Sequence, residues 1–324
     1  MAENCTSFRN EVMFGFWPEA ETLSWSAGRI EPLSNHQEIV YRVLSSAHVQ
    51  SGWYESGDGA FTLASTHVAQ LDDNVFDDQG ADFIVALVGI LRGLRLQREE
   101  WQHLRRTPVV VKKLCDFRAD CEEMEKAIDI ASVFWSQAKP EVKNLAFGAL
   151  HWHLFAQTYK HDFEKFNAQY MALDACHKLA MESFPGFIKA KLHANRASEM
   201  CSQLGIPEPQ WARTLDGQTT SFLAERRNAL AHEAMYGGKP IGFSCPQDLL
   251  FDDNGACVIE KIPGEDGKGK YRQKTRSASE MTLELQGLVA RLFLRLIGVE
   301  NEYTQSECTT AQTIGFSFPV SPAK

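Results

Sequence analysis

Apolar residues recur at helical spacing through the second half of the chain. Cys121, Met124, Ile128, Ala131 and Trp135 step by 3, 4, 3 and 4. Leu145, Ala149, Trp152, Ala156 and Tyr159 step by 4, 3, 4 and 3, and Phe163, Phe166, Tyr170, Leu173 and His177 by 3, 4, 3 and 4. Each set is one stripe of an amphipathic helix. Pro140 separates the first helix from the second, "KHD" the second from the third, and "FPGF" closes the third. "IKAKLHANRASEMCSQLG" reads as a further helix ending at Gly205. "TTSFLAERRNALAHEAMY" reads as another, with Thr219, Thr220 or Ser221 as cap and Gly237–Gly238 as stop. A last helix runs from about Ser279 to Leu296 on the stripe Met281, Leu285, Leu288, Leu292 and Leu296. "ACVIEKI" and "KYRQK" flank a Gly-rich turn and read as a hairpin.

The first part of the chain has a different rhythm. "EVMFGFWP", "TLSWSAGRI" and "AFTLASTHVAQL" set aromatic and β-branched residues between Gly, Pro, Asn and Asp, the pattern of short strands. "NHQEIVYRVLSSAHV" and "ADFIVALVGILRGLRLQREEWQHLRR" read as helical. Several amphipathic helices must bury their stripes against one another, which predicts an antiparallel helical bundle. The expected fold is therefore mainly α. It comprises a mixed α+β N-terminal region over 1–110, a helical domain over 116–303 and a flexible tail over 304–324.

Composition fits a folded globular protein, with 44% hydrophobic and 23% charged residues. The longest apolar stretch is broken by Arg92 and Arg95 and is too short to span a bilayer. The N-terminus has neither a basic start nor an apolar run, so no secretory signal and a cytoplasmic address are expected. The eight cysteines include no C-x-x-C pair and read as free thiols. "HWH" at 151–153 puts two histidines on different helix faces, so no metal and no cofactor are expected. A net charge of -9 argues against coating nucleic acid nonspecifically, but leaves room for a local basic pocket. The one dense basic stretch holds Lys268, Lys270, Arg272, Lys274 and Arg276. It reads as a solvated loop or, more sharply, as a phosphate-contacting flap.

The segment "RRNALAHE", 226–233, carries the most chemistry. R-x-x-x-x-H occurs at Arg227–His232 and at Arg98–His103. Chance supplies roughly half an occurrence in a chain of this composition, but only about one in fifty when asparagine must follow the arginine. Only the 227–232 copy has that asparagine, Asn228; Arg98–His103 reads as a solvated helix end. Leu223, Arg227, Leu230 and Ala234 share a predicted stripe, which puts Arg227 among core positions. Glu225, Asn228 and His232 fall on an adjacent face. Arg227 and His232 lie roughly 140° apart around the axis, near enough for a long arginine to curl across. The plain alternative is an arginine snorkelling from the core beside an exposed histidine.

With that motif set in a bundle of this kind, the segment from Asp116 to Tyr303 resembles the HEPN superfamily of small helical bundles. That family's signature is an arginine, commonly followed by a polar residue, and a histidine four to six positions on. Arg227, Asn228 and His232 match it. Asp174, in "ALD", takes the place of an acidic residue on the family's earlier helix. The ending "ARLFLRLIGVENEY" resembles the last helix of HEPN proteins related to phage-defence effectors. The resemblance implies a metal-independent endoribonuclease, a toxin or antiviral effector acting on RNA. It also implies a homodimer in which two motif helices face one cleft. Histidine suits proton transfer near neutral pH, and arginine's planar fork of donors suits a phosphorane-like transition state. Asn228 would orient His232 or bind a phosphate oxygen. Arg226 is an alternative motif arginine, Glu225 a supporting residue, and Asp174, ahead of Glu182 and Glu123, the expected carboxylate partner of the arginine. The N-terminal region would then hold a regulatory partner or ligand. Two other readings stand beside this one: a non-catalytic HEPN module that binds nucleotides or proteins, and a helical interaction protein with a chance motif.

Overall fold

The structure is a computed structural model that describes residues 10–214, 220–237, 239–241, 247–249, 259–262, 270–273, 275–308 and 314–315. The N-terminal segment opens with strands β1 (Asn10–Gly15), β2 (Leu23–Trp25) and β3 (Gly28–Pro32), then helix α1 (His36–Leu44). Strands β4 (Val49–Gln50), β5 (Trp53–Phe61) and β6 (His67–Leu71), helix α2 (Asp78–Arg92) and strands β7 (Gln97–Arg98), β8 (His103–Pro108) and β9 (Phe117–Arg118) follow. One sheet is antiparallel throughout, in the order β2-β3-β6-β1-β7; a second runs β4-β5-β8.

Helices then dominate: α3 (Cys121–Gln137), α4 (Pro140–Ala156), α5 (Asp162–Ser183), α6 (Arg196–Leu204) and α7 (Phe222–Glu233). Short strands β10 (Met235–Tyr236), β11 (Lys239–Pro240), β12 (Gln247–Leu249), β13 (Ile259–Ile262), β14 (Lys270–Gln273) and β15 (Thr275–Ser277) lead to α8 (Ala278–Leu296), and β16 (Ile314–Gly315) closes the described chain. The protein is mixed α/β, with eight α-helices and several antiparallel sheets among the described residues. The sequence pattern anticipates most of these elements. Asp120 and Glu123 form a reciprocal capping box that starts α3, and Pro140 occupies the first turn of α4. The expected hairpin is present as β13 paired with β14.

Several boundaries differ from expectation, beginning with the helix expected over 35–49, which stops at Leu44. The predicted helix over 81–106 stops at Arg92, where Gly93 takes a left-handed conformation (φ 62°). Leu94 and Leu96 prolong the apolar signal because the chain stays buried as it turns into β7. His103 therefore sits buried on β8, not at a solvated helix end, and Arg98 is a half-buried strand residue. The predicted helix over 188–205 forms only from Arg196, preceded by a 3-10 turn at His193–Asn195. Finally, α7 ends at Glu233, with Ala234 left-handed at φ 53°. The chain then enters the β10–β11 pair, ahead of the expected glycine stop.

One hydrophobic cluster runs from Val12 to Tyr303 and takes residues from both the strand-rich segment and the helices. Helix α2 lies at its centre. Its sequence "FIVALVGIL" is apolar on every side, and those residues are buried all round. Phe83 on α2 stacks on Trp135 of α3 at 4.5 Å, and is 6.5 Å from Phe293 of α8.

A polar lock joins α8 to the chain on either side of the bundle. Arg291, only 1% exposed, donates to Asp116 at 2.8 Å, to the Gly287 carbonyl at 3.0 Å and to Ser306 Oγ at 3.1 Å. The Tyr303 hydroxyl donates to the other Asp116 oxygen at 2.6 Å. Within the segment expected as a flexible tail, Thr304 is buried, and Ile314–Gly315 pair in parallel with Phe117–Arg118. No helix among the described residues is long and apolar enough to cross a membrane.

Candidate functional site

Helix α7 begins at Ser221, whose hydroxyl oxygen accepts from the Ala224 amide at 3.3 Å. The same hydroxyl donates to the Ala194 carbonyl at 3.1 Å. Thr214 Oγ1 donates to Asn195 Oδ1 at 2.9 Å. These bonds fasten the start of α7 to the turn that carries His193. The 3-10 turn that precedes α6 thus becomes part of the surface beside the motif.

On α7, Arg227 Nη1 donates to Asn228 Oδ1 at 3.1 Å and lies 3.4 Å from His232 Nε2. The arginine does curl across the helix to the histidine. With the imidazole proton on Nδ1, Nε2 is the lone-pair nitrogen that faces the guanidinium. Arg227 is half-buried, while Asn228, His232 and Glu225 are exposed. The triad is therefore open to a polymeric ligand rather than enclosed.

The placement of the two arginines reverses the expectation from periodicity. Arg226, 7% exposed, is the buried one; it lies over the rings of Phe222 and Tyr236 at 5.2 and 4.9 Å and hydrogen-bonds Tyr236. The buried face of α7 is Leu223, Ala224 and Arg226. Leu230 is only half-buried, and Ala234 lies beyond the helix and is exposed. The reason is packing: α7 is clamped between α5, two 3-10 turns and β10, so its inner face is set by the hairpin that follows it. Arg226 is accordingly a strut between α7 and β10.

Asp174 on α5 does not bond Arg227. Its Oδ1 accepts from Arg196 at 2.8 Å, and its Oδ2 lies 3.7 Å from His193 Nε2. Glu123 is committed to its capping box, and Glu182 is exposed near the far end of α5. His193 stacks on Tyr170 with ring centres 5.6 Å apart, and the Tyr170 hydroxyl is 3.1 Å from His193 Nδ1. Burial, followed by Arg196, holds the His193 imidazole below its usual pKa. Burial, followed by Asp174, holds the Tyr170 phenol above its own. The charge of Arg227 acts on both groups, so the Tyr170–Asp174–His193–Arg196 cluster and the α7 motif share one electrostatic neighbourhood. Sequence reasoning missed Tyr170, His193 and Arg196 as site residues. The legible signal was Tyr170 four positions before Asp174, one turn along the same helix face.

Of the basic stretch, Lys268 and Lys274 lie outside the described residues. Lys270 and Arg272 fall on β14, opposite Ile262 and Glu260, and Arg276 falls on β15, opposite Asp248. The two histidines of "HWH" have separate surroundings. His153 is buried, with Nδ1 3.1 Å from Gln169 Oε1, whereas His151 stacks on Phe155. Comparison with protein-family models, with curated proteins and with solved structures found no match to this chain.

Proposed function

We propose that the chain is a metal-independent endoribonuclease of the HEPN type, a toxin or antiviral effector working in the cytoplasm as a homodimer with α7 at its interface. The observation that carries this reading is the contact of Arg227 with both Asn228 and His232 on an open surface. The nucleophile is the RNA's own 2′-hydroxyl. His232 Nε2 takes its proton, O2′ attacks phosphorus, and the bond to O5′ breaks as that oxygen is protonated. The products are a 2′,3′-cyclic phosphate and a 5′-hydroxyl. Arg227 stabilises the charge that builds on the phosphoryl oxygens. Asn228 fixes the arginine's fork, and the Tyr170–His193 pair offers polar contacts to the ribose or to a neighbouring phosphate.

The test is incubation of total RNA in EDTA with the wild-type chain and with His232→Ala. The expected result is cleavage by the wild type alone, with cyclic-phosphate ends. Equal cleavage by both proteins would assign the activity elsewhere. No cleavage by either would hand this surface to the non-catalytic nucleotide- or protein-binding reading.

A further inference from the structure

A shallow cleft, about half open to solvent, lies between α2, β7 and α4 and shares no residue with the α7 surface. Arg95 lines it and is 5% exposed. Of the other three buried arginines, Arg92 has Glu19 and Glu21, Arg291 has Asp116, and Arg226 lies over the rings of Phe222 and Tyr236 and hydrogen-bonds Tyr236. Arg95 has none within ion-pair distance among the described residues, and its Nη1 has no hydrogen-bond partner. The ring of Phe155 lies 4.7 Å from its guanidinium carbon, and its charge also acts on Tyr159, His103 and His151. Burial alone drives its pKa down to about 10. A buried guanidinium without an anion is costly, and folding gains little from keeping one.

The rest of the wall has a complementary character. Trp101 is 38% exposed at the mouth; its ring centre lies 6.0 Å from that of His151 and 6.4 Å from that of Phe147. Gln97, 8% exposed, keeps its Oε1 without a donor. Asp82 also lines the cleft, and its charge is balanced by Arg98 at 3.6 Å. The cleft thus offers one unanswered cation, a cluster of flat rings, and acceptors that want N–H groups.

We propose that this cleft binds a nucleotide, with its phosphate on Arg95, its base against Trp101, Phe147 and His151, and the base N–H groups donating to Gln97 and Asp82. Aromatic stacking and a charge-assisted bond to arginine supply the affinity. The site joins the strand-rich segment to the helical core through β7 and α4, so its occupant would bridge the two. The proposal does not rest on the ribonuclease reading.

The test is calorimetric titration of the full chain with four nucleoside 5′-monophosphates, the matching nucleosides, inorganic phosphate and benzoate. At least one monophosphate is expected to bind once per chain, tenfold or more tighter than its nucleoside or phosphate alone. Arg95→Met should weaken it at least tenfold while raising the melting temperature of the unliganded protein by a few degrees, because an unpaired buried charge is removed. Trp101→Ala, near the surface, should weaken binding at least fivefold and leave melting unchanged. His232→Ala should bind as the wild type does. Should Arg95→Met fail to fold, Trp101→Ala decides. Saturation by no monophosphate at millimolar concentration, binding by benzoate alone, or binding indifferent to these cleft variants would overturn the proposal.

Discussion

The surroundings of Arg291 and of Arg227 show two uses of arginine in one helical body. Arg291 is sealed in the core and satisfied by a carboxylate, a tyrosine, a hydroxyl and backbone carbonyls. Arg227 stands half-exposed and, among the described residues, bonds only residues of its own helix. The first arrangement fixes where α8 meets the rest of the chain and leaves nothing to offer a ligand. The second contributes little to folding and leaves donors open toward solvent. The lesson is that a buried, fully satisfied arginine marks architecture, whereas a partly satisfied one at the surface marks a place where an anion can be received.

That contrast can be broken by experiment. The largest effect is expected at the motif. Arg227→Ala or His232→Ala should lower RNA cleavage by roughly 10²–10⁴-fold, with stability unchanged to within about 0.5 kcal/mol, as at other exposed positions. A parallel loss of melting temperature would show that the motif is structural after all. Next comes the lock: Asp116→Ala strands a buried guanidinium and should cost about 3–5 kcal/mol in urea unfolding. An unchanged unfolding midpoint would remove its architectural role.

Third is the response to acid. Burial drives the His67 and His103 imidazoles down to about 3 and that of His153 to about 4, below an ordinary value of 6.5. Each has a lower pKa folded than unfolded, so the stability it permits is complete above 6.5 and is lost as pH falls from there toward 3–4. Asp82 works in the opposite sense. Burial raises its carboxyl to about 6, so folding is favoured as it becomes protonated. Three groups outweigh one, and each pKa unit is worth about 1.4 kcal/mol. Urea midpoints should therefore fall between pH 7 and pH 5, by an amount on the order of a few kcal/mol at most. A midpoint that is flat or rising across that interval would contradict the burial of these histidines. The smallest effect separates neighbours. Arg226→Ala should destabilise by roughly 1–2 kcal/mol through its lost ring contacts, with any cleavage per folded molecule retained, the reverse of Arg227→Ala.

Helices with strong stripes were legible because burial of one face is a local, periodic demand. The positions Met124, Ile128, Ala131 and Trp135 are buried as the spacing requires, and so are Phe166, Leu173 and His177. On α4 the stripe was met only in part: Ala149 and Ala156 are buried as expected, Leu145 and Trp152 are only half-buried, and Val142, Ala146, Leu150 and His153 are buried outside it. That helix is apolar over much of its circumference, so period alone does not choose its inner side. The same limit explains Arg226. On a twelve-residue helix with mixed faces, the strand that folds back beneath it decides which arginine is covered.

The sequence by itself determined where most helices lie, the cap at Ser221 and the Arg227–Asn228–His232 motif. Each depends on side chains within a turn or two of one another, where chain geometry leaves few options. Only the tertiary structure decided what meets that motif. His193, Tyr170 and Arg196 arrive from a 3-10 turn, α5 and the start of α6, and Asp174 turns to Arg196 rather than to Arg227. It also decided that α2 lies inside a core shared by strands and helices. Contacts between distant segments follow from how whole faces pack, and no local period records them.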